Sequence, residues 1–264
     1  MVIHAVSLIL ALTFFCPVAW GGDRQACLSC HFTHYEKHGN CTGCHGGNGD
    51  SARENIAHSG LISGRYAWFT MGDSAIMKEG ERLLEALACR RCHVSGGVGN
   101  RLATSLDSVV KIRTVDEIAA TILAPGSEMP DLGLSEPRTD AVVNALLGGA
   151  KKKGSTVVKP LVVHFKGRGG MGKDVFSRKC GPCHRALTEK LGALGTGNSA
   201  PNLSGLLSPY YPKSYKTNGK WTEKALRQWL ENPRKIRLDA RMPPVPLKED
   251  ELRELVRILS VSGE

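Results

Sequence analysis

The stretch Cys27-Leu-Ser-Cys30-His31 is followed ten residues later by Cys41-Thr-Gly-Cys44-His45, and this doubled unit decides how the chain is read. Two further copies follow, Cys89-Arg-Arg-Cys92-His93 and Cys180-Gly-Pro-Cys183-His184. A C-x-x-C-H run is the attachment signature of covalent haem c. Two thiols must reach the two vinyl-derived carbons on one edge of the porphyrin, and two intervening residues set their separation. The histidine directly after the second thiol then swings under the ring and ligates iron. Eight of the nine cysteines fall in these four copies, and the ninth, Cys16, lies in an apolar leader. The expectation is four covalently bound haem c groups on Cys27, Cys30, Cys41, Cys44, Cys89, Cys92, Cys180 and Cys183. His31, His45, His93 and His184 are the proximal ligands.

Two other chemistries use paired cysteines. C-x-x-C units bind zinc, and the first two pairs have roughly zinc-ribbon spacing. Zinc has no need of a histidine directly after every second cysteine, yet all four copies carry one. A disulfide framework leaves the same four histidines unexplained.

A chain of 264 residues predicts one to three domains. Four macrocycles change that arithmetic, because each is a prefabricated apolar core around which a short segment can fold. The formal net charge is +10, from 35 Lys and Arg against 25 Asp and Glu. Nucleic acid is the usual suspicion for such a balance. Haem propionates would offset several of these charges, so no nucleic-acid partner is expected. The excess is read as propionate compensation and solvated surface ahead of steering toward acidic redox partners.

Residues 1–21 read as a signal peptide, because residues 2–20 form an uncharged apolar run with Ala19 and Gly21 placed for cleavage before Gly22. No Lys or Arg precedes the run, which is atypical, and an uncleaved membrane anchor is the alternative. Cys16 follows Thr13-Phe14-Phe15 and lacks the small neighbour that lipoprotein processing wants. The predicted location is the bacterial periplasm, since haem is attached to such motifs outside the cytoplasm.

The predicted fold is mainly α: an N-terminal dihaem module with little regular structure, 22–60, then two small all-α domains, 76–149 and 172–264. Residues 61–75 are read as a connector whose Tyr66, Trp68 and Phe69 cover a haem edge, and 150–171 as a linker. No methionine lies between Cys27 and Gly60, so bis-histidine ligation is expected there, with His34 and His58 as distal ligands and His38 in reserve. Ile76, Leu83, Leu84 and Leu87 predict a helix leading to Cys89. Thr114-Val-Asp-Glu117 is a capping box opening a helix that Pro125 stops. Val142, Val143, Leu146 and Leu147 predict another, closed by Gly148-Gly149. In the linker, Gly167-Arg-Gly-Gly-Met-Gly172 satisfies G-x-G-x-x-G, but it leads into a motif-bearing helix and is read as a chance match. His164 is read as a surface or packing histidine.

The order helix, C-x-x-C-H, helix, Met129-Pro130, helix in 76–149 resembles class I cytochromes c. So does 172–264, with Phe176 one turn before Cys180, then Ala200-Pro201-Asn202-Leu203, Trp229, Arg241-Met242-Pro243 and a final helix through Leu252, Leu255, Val256 and Leu259. The resemblance implies Met129 and Met242 as distal ligands, with Phe176, Trp229 and Leu255 around the ring. Ile258 stands where that family often has an aromatic.

Iron with two protein ligands exchanges electrons but offers substrate no vacant position. The expected function is therefore a tetrahaem electron relay between a membrane quinol oxidoreductase and other cytochromes or a periplasmic or outer-membrane acceptor. Methionine ligation raises potential over histidine, so flow is expected from the N-terminal pair toward the C-terminal domain. The alternative is a terminal haem reductase of an oxyanion or peroxide, which needs one open iron. The segment Cys27–Phe69 and the domain order are similar to c-type cytochromes of selenite/tellurite-reduction and outer-membrane conduit operons, which implies partners in a multi-subunit conduit.

Overall fold

A computed structural model describes residues 26–126, 128–153 and 172–262. The leader with Cys16, the strand-like run 157–165, His164 and all of the Gly-rich hexapeptide except Gly172 lie outside the described residues. The described chain is mainly helical. No helix in it is long and apolar enough to cross a membrane.

From Ala26 to Gly60 the chain forms 3-10 turns and two short helices, α1 (Cys41–His45) and α2 (Glu54–Ala57), and no residue there is buried. Local bonds hold it instead. Asn40 caps α1 by accepting from Gly43 N at 2.8 Å, and Asn48 N donates to Ala57 O at 2.9 Å.

The middle region is built on α3 (Ala75–Ala86), α4 (Leu106–Ile112), α5 (Val115–Leu123) and α6 (Glu136–Lys153). Its core gathers Leu83 and Leu84 of α3, Ile118 and Ile122 of α5, and Val142, Val143 and Leu146 of α6. Burial of each such side chain is worth about 1.5–3 kcal/mol. The Thr114–Glu117 capping box is present and opens α5. α4 follows a Ser105 N-cap position and was not anticipated from the sequence.

Two expectations are corrected here. Gly148-Gly149 does not close α6, which continues to Lys153. A Cβ on Gly148 would sit 2.7 Å from Met77 Cε, and one on Gly149 would sit 3.5 Å from Gly96 Cα. These glycines let neighbouring segments approach the helix; they do not cap it. Nor is 61–75 a mere connector, because it contains a 3-10 helix, Gly64–Thr70, whose Tyr66 is 0 % exposed within the middle core. Asn144 of α6 fixes this helix by donating to Arg65 O at 2.8 Å. Tyr66 and Phe69 thus serve the protein core, while Trp68 faces the N-terminal cleft.

The C-terminal region opens with α7 (Val175–Lys179), capped by Asp174, whose Oδ1 accepts from Ser177 N. It continues through β1 (Ala186–Thr188), β2 (Gly192–Leu194), α8 (Glu223–Glu231) and α9 (Pro233–Ile236), and ends in α10 (Glu249–Leu259). Val175 and Phe176 pack with Leu226, Leu230, Leu252, Leu255, Ile258 and Leu259 in one core. The aliphatic Ile258 is buried in that core. The antiparallel pair β1–β2 departs from the expected all-α domain. Gly192, at φ +70°, supplies the left-handed turn, and the Thr188 hydroxyl donates to Gly192 O at 2.9 Å to close it.

Candidate functional site

Each C-x-x-C-H unit winds through a helical turn. His31 N donates to Cys27 O at 2.9 Å, His93 N to Cys89 O at 3.1 Å and His184 N to Cys180 O at 2.9 Å, while the second unit is helix α1 itself. Residues three and four apart share a face of such a turn, so the paired cysteines and the histidine project together.

Three of the four motif histidines are oriented from behind by a backbone carbonyl. Nδ1 lies 2.7 Å from Pro201 O in His184, 2.7 Å from Thr104 O in His93 and 3.0 Å from Ile62 O in His45. A ring nitrogen facing a carbonyl carries the proton, which leaves Nε2 with its lone pair for a metal. Burial also pushes His93 below the ordinary imidazole range, toward the neutral form a ligand must have.

The N-terminal histidines fall into two opposed pairs. His34 Nε2 is 3.4 Å from His45 Nε2, with ring centroids 5.7 Å apart. His31 faces His58 with centroids 5.9 Å apart. Two metal–imidazole bonds of about 2 Å end to end would span about 4 Å, close to the separation of the first pair. His38 stacks edge-on to Tyr35 at 6.3 Å and lies outside both pairs. A cleft of about 610 Å³ is lined by both histidine pairs, by Cys27, Cys41 and Cys44, and by Trp68.

In the other two regions each predicted methionine joins the core that contains its motif's first cysteine. Met129 packs on the middle core with Cys89, and Met242 on the C-terminal core with Cys180, Phe176 and Leu255. Trp229 Nε1 donates to Met242 Sδ at 3.2 Å. The sequence flagged Trp229 as a packing residue and gave no sign of this bond.

The two regions also share a scaffold beyond the motifs. Gly99 (φ +129°) and Gly195 (φ +77°) follow short hairpins, and a Cβ on either would collide with the motif histidine's carbonyl. Asn100 N donates to Arg90 O and Thr196 N to Gly181 O, the residues just after each first cysteine. Leu106 N donates to Val94 O and Leu203 N to Arg185 O, the residues just after each histidine.

Burial pushes the Cys89 and Cys180 thiols up to about 11. Among the described residues no three His, Cys, Asp or Glu side chains converge on a common point. Haem iron takes four ligands from its own ring and needs only two from the chain. The residues present fit haem c: paired cysteines on one helical turn, three motif histidines held through Nδ1 by a carbonyl, and in the N-terminal region a second histidine facing each motif histidine. No protein-family model and no solved structure matches the chain.

Proposed function

We propose that the chain is a tetrahaem c-type cytochrome that relays electrons in the bacterial periplasm, between a membrane quinol oxidoreductase and a further cytochrome or outer-membrane acceptor. The observation that carries this reading is the pairing of each N-terminal motif histidine with a second histidine across one cleft, His34 with His45 and His58 with His31. When bound, haem supplies one-electron exchange at an iron closed to substrate. The chain's own residues fix the rest. Cys27, Cys30, Cys41 and Cys44 would tether two rings in the cleft, and Cys89, Cys92, Cys180 and Cys183 the other two. The carbonyls of Ile62, Thr104 and Pro201 hold His45, His93 and His184 with Nε2 directed away from the backbone. Met129 and Met242 complete the middle and C-terminal sites, whose domains we read as class I cytochrome c folds. Sites held by two histidines would have lower potentials than sites held by a histidine and a methionine, which would order electron flow from the N-terminal module to the C-terminal domain.

Pyridine haemochrome absorbance should give four haems per chain, and near-infrared charge-transfer bands should report two bis-histidine and two histidine–methionine sites. A colourless mature protein would end this reading. High-spin ferric bands, or carbon monoxide binding to the reduced protein, would replace it with a terminal reductase.

A further inference from the structure

The third motif touches the C-terminal region through its own residues. Arg91, inside Cys89-Arg-Arg-Cys92-His93, donates from Nη1 to Asn202 O at 3.2 Å and lies 5.7 Å from the centre of the Tyr211 ring. Tyr211 Oη donates to the same Asn202 carbonyl at 3.1 Å. Asn202 directly follows Pro201, whose carbonyl orients His184. From the other side, Asn100 Nδ2 spans Arg91 O at 2.8 Å and Ser208 Oγ at 2.7 Å. Cys92 is buried against Leu187 and Ala193 of the C-terminal hairpin. The backbones meet so closely that a Cβ on Gly205, itself at φ +68°, would lie 2.5 Å from Arg91 O.

We propose that Arg91 is a positioning residue shared by two redox sites: it straps the Pro201–Asn202 loop behind His184 to the third motif, and its charge raises the potentials of both haems together. The proposal rests on the reading of the chain as a tetrahaem cytochrome. Arg91's two partners in the loop are a carbonyl and an aromatic ring, neither of which cancels the guanidinium charge. A cation held beside two irons favours the reduced, less positive form of each. It is not a ligand and does not enter the electron exchange itself. Long charged side chains on protein surfaces usually move freely and are screened by water. Arg91 is half-buried and held at both ends of the contact, so its charge has a fixed address.

The test is a spectroelectrochemical titration of the full-length holoprotein and three variants. Arg91→Met removes charge and strap; both methionine-ligated haems should shift to lower potential, with the N-terminal pair unmoved. Arg91→Gln keeps a donor for the Asn202 carbonyl and removes only the charge, so it should lower the same two potentials and leave the small-angle scattering profile compact. Arg91→Lys, which keeps the charge, should stay near the native potentials. If either neutral variant leaves one or both potentials at native values, the shared role is overturned. Haem counts on the same samples separate the two claims: fewer than four haems in the native protein defeats the cytochrome reading, whereas four haems with unmoved potentials defeats only the role of Arg91.

Discussion

Between Ala26 and Gly60 none of the side chains is buried, whereas between Val175 and Leu259 eleven buried residues form one core around Cys180. Both stretches present the same five-residue unit on the same kind of helical turn. The N-terminal stretch offers opposed histidines and almost nothing else, so on the cytochrome reading its rings must supply the apolar interior. The C-terminal stretch has a core of its own, and there a ring would be one more member of it. On that reading the two regions differ in where the folding free energy resides: in the covalent cofactor proposed for the first, in packed aliphatic side chains for the second.

The harshest way to break that comparison is Cys41→Ser combined with Cys44→Ser. One haem of four should be lost by haemochrome assay, and limited proteolysis should then cut within 26–60, since no protein core remains to protect it. The C-terminal sites should keep their spectra.

Next in size is Leu255→Ala, a fully buried position on α10. It should cost about 2–5 kcal/mol in denaturant unfolding of the C-terminal region. Charge-transfer bands of the bis-histidine sites should stay in place; their loss would show that the two regions share one core after all.

His34→Ala and His38→Ala sharpen the comparison within the N-terminal module. The first should open one iron to carbon monoxide, because His34 faces His45. The second should leave all four sites closed, because His38 stacks on Tyr35 outside both histidine pairs. The reverse result would reassign the distal ligand.

A smaller effect is expected from Trp229→Phe, which removes the indole N–H that bonds Met242 Sδ. Withdrawing that donor leaves more electron density on the sulfur, so the potential of the C-terminal site alone should fall in a redox titration.

Smallest is the capping box of the middle region. Thr114→Ala should cost about 1 kcal/mol of thermal or denaturant stability. The backbone N–H and hydroxyl of Thr114 hold the Glu117 carboxyl below its ordinary range. A depressed carboxylate stabilises the fold above its unfolded-state pKa and loses that contribution as pH falls through the folded one. The native protein should thus lose this increment on acidification, and Thr114→Ala should show a flatter acid limb in a pH series of melts.

Part of the helical framework is legible from spacing, while α4 is not. Leu83 and Leu84 on α3, the Thr114–Glu117 box on α5 and Phe176 before Cys180 all follow from local periodicity and backbone bonding. Gly148-Gly149 was misread because glycine serves equally to end a helix and to admit a neighbour, and only the position of Met77 decides between them. Tyr66 was misread because an aromatic in a short apolar run has no period to reveal which surface it meets. The hairpin β1–β2 escaped notice since its strands are three residues each, too short to show alternation.

By itself the sequence determined the four C-x-x-C-H units and the presence of further histidines and methionines near them, because these are matters of residue type and spacing. Tertiary structure alone decided that His34 faces His45 and His58 faces His31, that the carbonyls of Ile62, Thr104 and Pro201 stand behind the imidazoles of His45, His93 and His184, and that Arg91 reaches the loop at Asn202. The partners in these contacts lie between 11 and 111 residues apart in the chain. No local pattern encodes such meetings. They follow from how the helices and turns close on one another, where shape and burial select among histidines and carbonyls that are chemically alike.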